Sequence, residues 1–191
     1  MSRVEGRRAR AAALLLALVV GGGGALAVGA LAGCHTEDRR VVDERLLLAL
    51  EEARALQHRA DVHLEGGDVV AASADVRAVL EITFPTGAPE GEETRLDAWA
   101  RLGRLALALG AGHEDEALAA VDSGRREASF DSFYRAHLDT VAGEILEARA
   151  RRIAASDPEG AKVARRDAVA AYSRSIDINK RVQARLLGKK P

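Results

Sequence analysis

A chain of 191 residues is long enough for one ordinary domain plus an export segment, and too short for two comfortable domains. An aromatic content of 3% beside abundant Ala, Leu, Arg and Glu excludes a strand-dominated sandwich and points to a helical protein. The net charge is -1, and the body left after setting aside Arg3, Arg7, Arg8 and Arg10 with Glu5 is mildly acidic, so it lacks the basic face that a nucleic-acid partner requires.

The chain opens with a basic stretch, MSRVEGRRAR, followed by the apolar AAALLLALVV and a glycine-rich continuation that ends in small residues before Cys34, the only cysteine. Basic, apolar and small-residue stretches in that order are the layout of a secretory signal. Residues 11–33 are also long enough to span a bilayer, which needs roughly 20 apolar residues. Gly21, Gly22, Gly23 and Gly24 stand in the middle, each costing a helix about 1 kcal/mol relative to Ala. An uncleaved single span therefore stands as the alternative, but it does not explain the cysteine.

The residues Leu31, Ala32, Gly33 and Cys34 resemble the lipobox of bacterial lipoproteins. The resemblance implies that the Cys34 thiol becomes a thioether to diacylglycerol and that a type II signal peptidase cuts after Gly33. It also implies that the new amino group of Cys34 can be acylated. One acyl chain holds a protein only marginally and two or more hold it stably, so Cys34 would be a permanent anchor. The Arg7-Arg8 pair lacks the residues that a twin-arginine export signal places after it. His35 follows the cysteine where an Asp would retain the protein at the inner membrane, so by resemblance to the sorting rule the expected location is the outer membrane, facing the periplasm. The expected segments are then a signal peptide at 1–33, a lipidated polar tether at 34–40, a helical domain at 41–187 and a polar tail at 188–191.

From residue 41 the apolar residues fall at helical spacing. Leu46, Ala49, Leu50, Ala53, Leu56, Ala60 and Leu64 make one stripe, which Gly66 and Gly67 end. Asp68 is a good N-cap for a second helix carrying Val69, Ala72, Val76, Val79 and Leu80. The linker 84–93, FPTGAPEGEE, holds two of the four prolines and is expected to interrupt the helices. A third helix carries Leu96, Trp99, Leu102, Ala106 and Leu109, and a short fourth carries Ala117, Leu118 and Val121, with Gly124 expected to close it. The fifth is expected to run from about Phe130 to Ala148, with Phe130, Phe133 and Tyr134 mainly in the core. Asp157 and Pro158 restart the chain as cap and first helical residue of a sixth helix through Ala168, Ala171, Tyr172, Ser175 and Ile176.

Three successive hairpins suggest a repeat architecture. Trp99, Leu102, Gly103 and Ala106 in WARLGRLA, and Ala168, Tyr172 and Ser175 in the last helix, resemble the spacing of tetratricopeptide repeats. The expected fold is thus all-α: antiparallel helical hairpins stacked as a short tetratricopeptide-like solenoid. The resemblance implies a groove lined by the first helix of each pair. The register on Trp99 and Gly103 places Asp97, Arg101 and Arg104 near it, and the same register on Gly143 adds His137, Thr140 and Glu144.

Catalytic and metal chemistry find little purchase. His58 and His63 are five apart on one helix and face different sides, unlike the i, i+4 pair that a metal uses. His113 precedes Glu114, Asp115 and Glu116, which favour the positive end of a helix. No serine sits in a GxSxG elbow, and Glu147 with Arg151 reads as a surface ion pair. No catalytic residue, no metal and no cofactor beyond the lipid on Cys34 is expected. The function expected is that of an envelope lipoprotein scaffold, not an enzyme, holding a protein or peptide partner. A lipoprotein binding a small envelope ligand is the alternative, and it would show a closed pocket with convergent polar groups.

Overall fold

The computed structural model describes residues 34–188, with side chains from residue 44 onward, so the expected signal segment, the Cys34 thiol and residues 189–191 lie outside the description. Among the described residues the chain is six helices without a strand: α1 (Cys34–Glu65), α2 (Val69–Glu81), α3 (Pro89–Ala108), α4 (Glu114–Glu127), α5 (Phe133–Ile153) and α6 (Pro158–Leu186). The all-helical expectation holds. No helix among these residues is long and apolar enough to cross a membrane.

Local chemistry sets most boundaries. Gly67 takes φ 81°, a conformation that costs glycine little, and Asp68 then accepts a hydrogen bond from the Ala71 amide at 2.9 Å to start α2. Asp157 caps α6 through the Gly160 amide at 2.9 Å, with Pro158 as the first helical residue. Ser132 does the same for α5 through the Arg135 amide.

Four expectations need correction. The helix expected from residue 41 already begins at Cys34, because residues 35–40 contain no Gly or Pro to stop it. The linker expected over 84–93 ends at Ala88, because Pro89 is accommodated at the first helical position, where its missing N–H costs nothing. Gly124 does not close α4, which continues to Glu127. A Cβ on Gly124 would stand 2.8 Å from the Trp99 Cβ and 2.8 Å from Leu138 Cδ2, so its role is to let α4 approach α3 and α5. Finally, α5 starts at Phe133, whose side chain is 60% exposed, while Phe130 and Tyr134 are half-buried.

Each hairpin packs on the next, and α3 also packs on α5. One apolar cluster joins α1, α2 and α3 through Ala53, Ala60, Val76, Val79, Ala98 and Leu102. A second spans α3 to α6 through Leu96, Ala117, Val121, Leu138, Ile145 and Ala171. Helix α3 thus buries two faces, and Trp99 packs against both clusters. The many alanines and the buried Gly103 allow helices to approach closely, so dispersion contacts build up without large side chains.

Three buried acids clamp neighbouring helices. Arg59 of α1 donates two hydrogen bonds to Asp75 of α2, at 2.9 and 2.6 Å, with His63 at 3.7 Å. Glu114 of α4 accepts from Arg152 of α5 at 2.7 Å, and this hydrogen bond holds its carboxyl below the usual range against the upward push of burial. Asp139 of α5 receives Arg125 of α4 and Arg174 of α6. Burying such acids costs stability unless a partner and good geometry compensate, as they do here.

Candidate binding cleft

The first helices of the three hairpins run parallel at a constant offset. Gln57 of α1 donates to Asp97 of α3 at 3.2 Å, Arg101 of α3 donates to Asp61 of α1 at 2.9 Å, and Arg104 of α3 donates to Glu144 of α5 at 2.9 and 2.8 Å, each pair separated by 40 residues. The same offset relates Gly103 to Gly143. Each glycine gives a second helix room: Cβ atoms there would meet Val121 at 3.0 Å and the Tyr172 ring at 2.5 Å.

Between these helices lies a cleft of about 260 Å³. Its apolar wall is Ala60, Leu64, Val76, Leu105 and Ala108, and its polar wall is Asp61, Asp97, Arg101, Arg104 and His137. Arg101 bridges two helices by donating to Asp97 at 3.0 Å as well as to Asp61. Burial would lower the Arg101 pKa, but the carboxylates of Asp97 and Asp61 outweigh it and raise it. The fork of Arg104 on Glu144 is the two-point geometry that makes guanidinium pairs directional.

His137 is the titratable group of the cleft. Its Nε2 lies 3.1 Å from Nη1 of Arg104, and its ring stacks on Phe133 with centroids 5.9 Å apart. A guanidinium can only donate, so this contact requires an unprotonated Nε2 and leaves the imidazole proton on Nδ1. Burial first, and the Arg104 charge second, push the His137 pKa below its ordinary value, although Asp97 and Glu144 pull the other way.

Five of the six groove residues expected from the sequence meet here: Asp97, Arg101, Arg104 and His137 line the cleft and Glu144 holds Arg104. Thr140 does not, because its hydroxyl bonds Ser175 of α6 at 2.8 Å. Sequence reasoning missed Gln57 and Asp61. The signal was available in the 40-residue offset from Asp97 and Arg101, but the first hairpin carries His63 at the offset where the others carry Gly103 and Gly143. The cleft's charges are largely satisfied by one another, and none of the residues lining it carries a hydroxyl or a thiol. Among the described residues no group of three or more His, Cys, Asp or Glu side chains is placed to hold a metal ion.

Compared with known proteins, the chain has no match: no protein-family model, no curated protein and no solved structure matches it.

Proposed function

We propose that this protein is a lipoprotein held at the outer membrane through Cys34, and that its helical repeats form a scaffold binding another cell-envelope protein or peptide in the cleft between α1, α3 and α5. The observation that carries the reading is the 40-residue offset, which brings polar side chains from three successive first helices to one apolar-floored cleft. This is the placement that the tetratricopeptide resemblance implies for a partner groove. The lipobox at Leu31 to Cys34, the apolar run before it and the absence of a second cysteine support the anchor.

A small-molecule site in this cleft finds less support. Such pockets enclose roughly 300–1,000 Å³, and this cleft is smaller, at about 260 Å³. A peptide needs no enclosure, since a strand or helix can lay one face along an elongated groove.

The test is site-specific photo-crosslinking in the native envelope. A photoreactive residue replaces Leu64, which lines the cleft and is 43% exposed, or Val169, on α6 and 64% exposed. The scaffold reading expects a discrete protein adduct from position 64 that is absent from position 169 and weakened by Arg104→Glu. The same adducts from both positions, or none from position 64, would refute it.

A further inference from the structure

The C-terminal end of α6 combines cations with uncovered apolar side chains. By sequence, residues 180–190 contain Lys180, Arg181, Arg185, Lys189 and Lys190 and no acid, whereas the rest of the mature body is acidic; Lys189 and Lys190 lie outside the described residues. On the same end Ile176, Leu186, Leu187 and Phe133 are exposed. Phe133, Ile176, Lys180, Val182 and Leu186 line a shallow groove of about 470 Å³. Arg181 binds the Asp131 carboxylate and Arg185 binds the Asp131 carbonyl, both at 2.7 Å, so the last turns of α6 are fixed against the start of α5.

Three kinds of occupant could cover such a surface, and its chemistry separates them. A second copy would bring the same cations face to face, since a two-fold interface pairs a patch with itself. A nucleic acid would answer the cations and leave the apolar side chains in water. An anionic bilayer answers both, taking apolar side chains at the headgroup boundary and cations at the phosphates.

Topology places this end toward the anchor. The 40-residue offsets make α1, α3 and α5 parallel. The pairs Asp131 with Arg181, Asp139 with Arg174, and Thr140 with Ser175 make α6 antiparallel to α5. The C-terminus of α6 therefore points the same way as the N-terminus of α1, where Cys34 stands.

We infer that the surface formed by Phe133, Ile176, Lys180, Val182 and Leu186 docks on an anionic phospholipid bilayer as a second membrane contact. The inference rests on the lipid-anchor reading of Cys34. Two applications of the offset place residue 53 of α1 level with Phe133, so α1 extends roughly 28 Å farther at 1.5 Å per residue. Docking therefore inclines α1 along the surface instead of standing it upright, which fixes the orientation of the cleft relative to the membrane.

The test uses the mature lipidated protein in vesicles. A thioether at Cys34 takes no thiol label, so Leu186→Cys can be labelled alone with an environment-sensitive fluorophore; Leu186 is 79% exposed and its replacement leaves the core intact. Docking predicts a blue shift and quenching by bilayer-borne nitroxides when phosphatidylglycerol is added to phosphatidylcholine, with loss of both in high salt and in Lys180→Glu. A label at Asp68, at the other end of the hairpins, should remain in water. A Leu186 label that stays in water on anionic vesicles overturns the docking. A blue shift without vesicles that grows with protein concentration overturns it in favour of a second copy. Labelling of the wild-type chain at Cys34 overturns the anchor, and the docking with it.

Discussion

Gly124 offers the sharpest test of the packing. In an ordinary helix Gly→Ala gains about 1 kcal/mol from backbone entropy. Here the added Cβ would lie 2.8 Å from both Trp99 Cβ and Leu138 Cδ2 and 3.0 Å from Leu138 Cδ1. Carbon contacts relax at about 3.5 Å or more, so the helices must open by about 0.7 Å. Leu138 is fully buried and the Trp99 Cβ is fixed to the α3 backbone, so neither can swing aside. Overpacking of this kind costs about 1–3 kcal/mol, which cancels or exceeds the propensity gain. Gly124→Ala should therefore be neutral to about 2 kcal/mol less stable. Gly124→Val, with a branched side chain and little propensity gain, should lose about 3 kcal/mol or more. At about 2–4 °C per kcal/mol for a domain of this size, the Val variant should melt about 6–12 °C below wild type. The assay is thermal unfolding in detergent followed by circular dichroism and by the fluorescence of Trp99, the only tryptophan. Gly66→Ala, at a turn where the nearest atom is at 3.4 Å, is the control and should change little. A Gly124→Val protein melting with the wild type would refute the close approach of α3, α4 and α5.

Other expectations follow from the same geometry. Leu138→Ala or Ile145→Ala, each at a fully buried position of the larger cluster, should cost about 2–5 kcal/mol in denaturant unfolding. His137 should titrate below the ordinary histidine range by NMR, and Arg104→Gln, which removes one of the causes, should bring it back toward that range. Because the folded pKa of His137 is depressed, its neutral form contributes stability that is present above the unfolded pKa and is lost as pH falls through the folded value. At Glu127 burial pushes the carboxyl up, but hydrogen bonds from Arg95 and from Trp99 Nε1, the latter at 2.7 Å, outweigh it and hold the pKa low. Its stabilising effect is present above the unfolded glutamate pKa and should vanish as pH falls through the lower folded one. Trp99 fluorescence should report that loss in wild type, and Glu127→Gln should remove this part of the acid transition.

What the sequence disclosed was local. Asp68 and the Asp157-Pro158 pair could be read because a cap is made within one turn of the residue that makes it. Gly124 could not, because a glycine that ends a helix and one that admits another helix look alike until Trp99 and Leu138 are known to face it. Pro89 reads from the sequence as part of a break because a proline is legible as a helix stop and as a helix start, and only its neighbours decide. Phe133 was expected inside on its apolar character, but it is the first residue of α5 and stacks along the outside on His137. The cleft residues Asp97, Arg101, Arg104 and His137 could be placed because Trp99, Gly103 and Gly143 mark the register. Gln57 and Asp61 escaped because the first hairpin lacks those marks. Clamps such as Asp75 with Arg59 and Glu114 with Arg152 join residues on different helices, which no window along the chain brings together.

The most direct measurement is the intact mass of the protein extracted from native membranes, beside the fractionation of Cys34→Ala. Anchoring predicts a chain that begins at a lipid-modified Cys34 and a variant that leaves the membrane or keeps its first 33 residues. A full-length wild-type chain in the membrane with Cys34 unmodified would contradict it and make residues 11–33 the anchor instead.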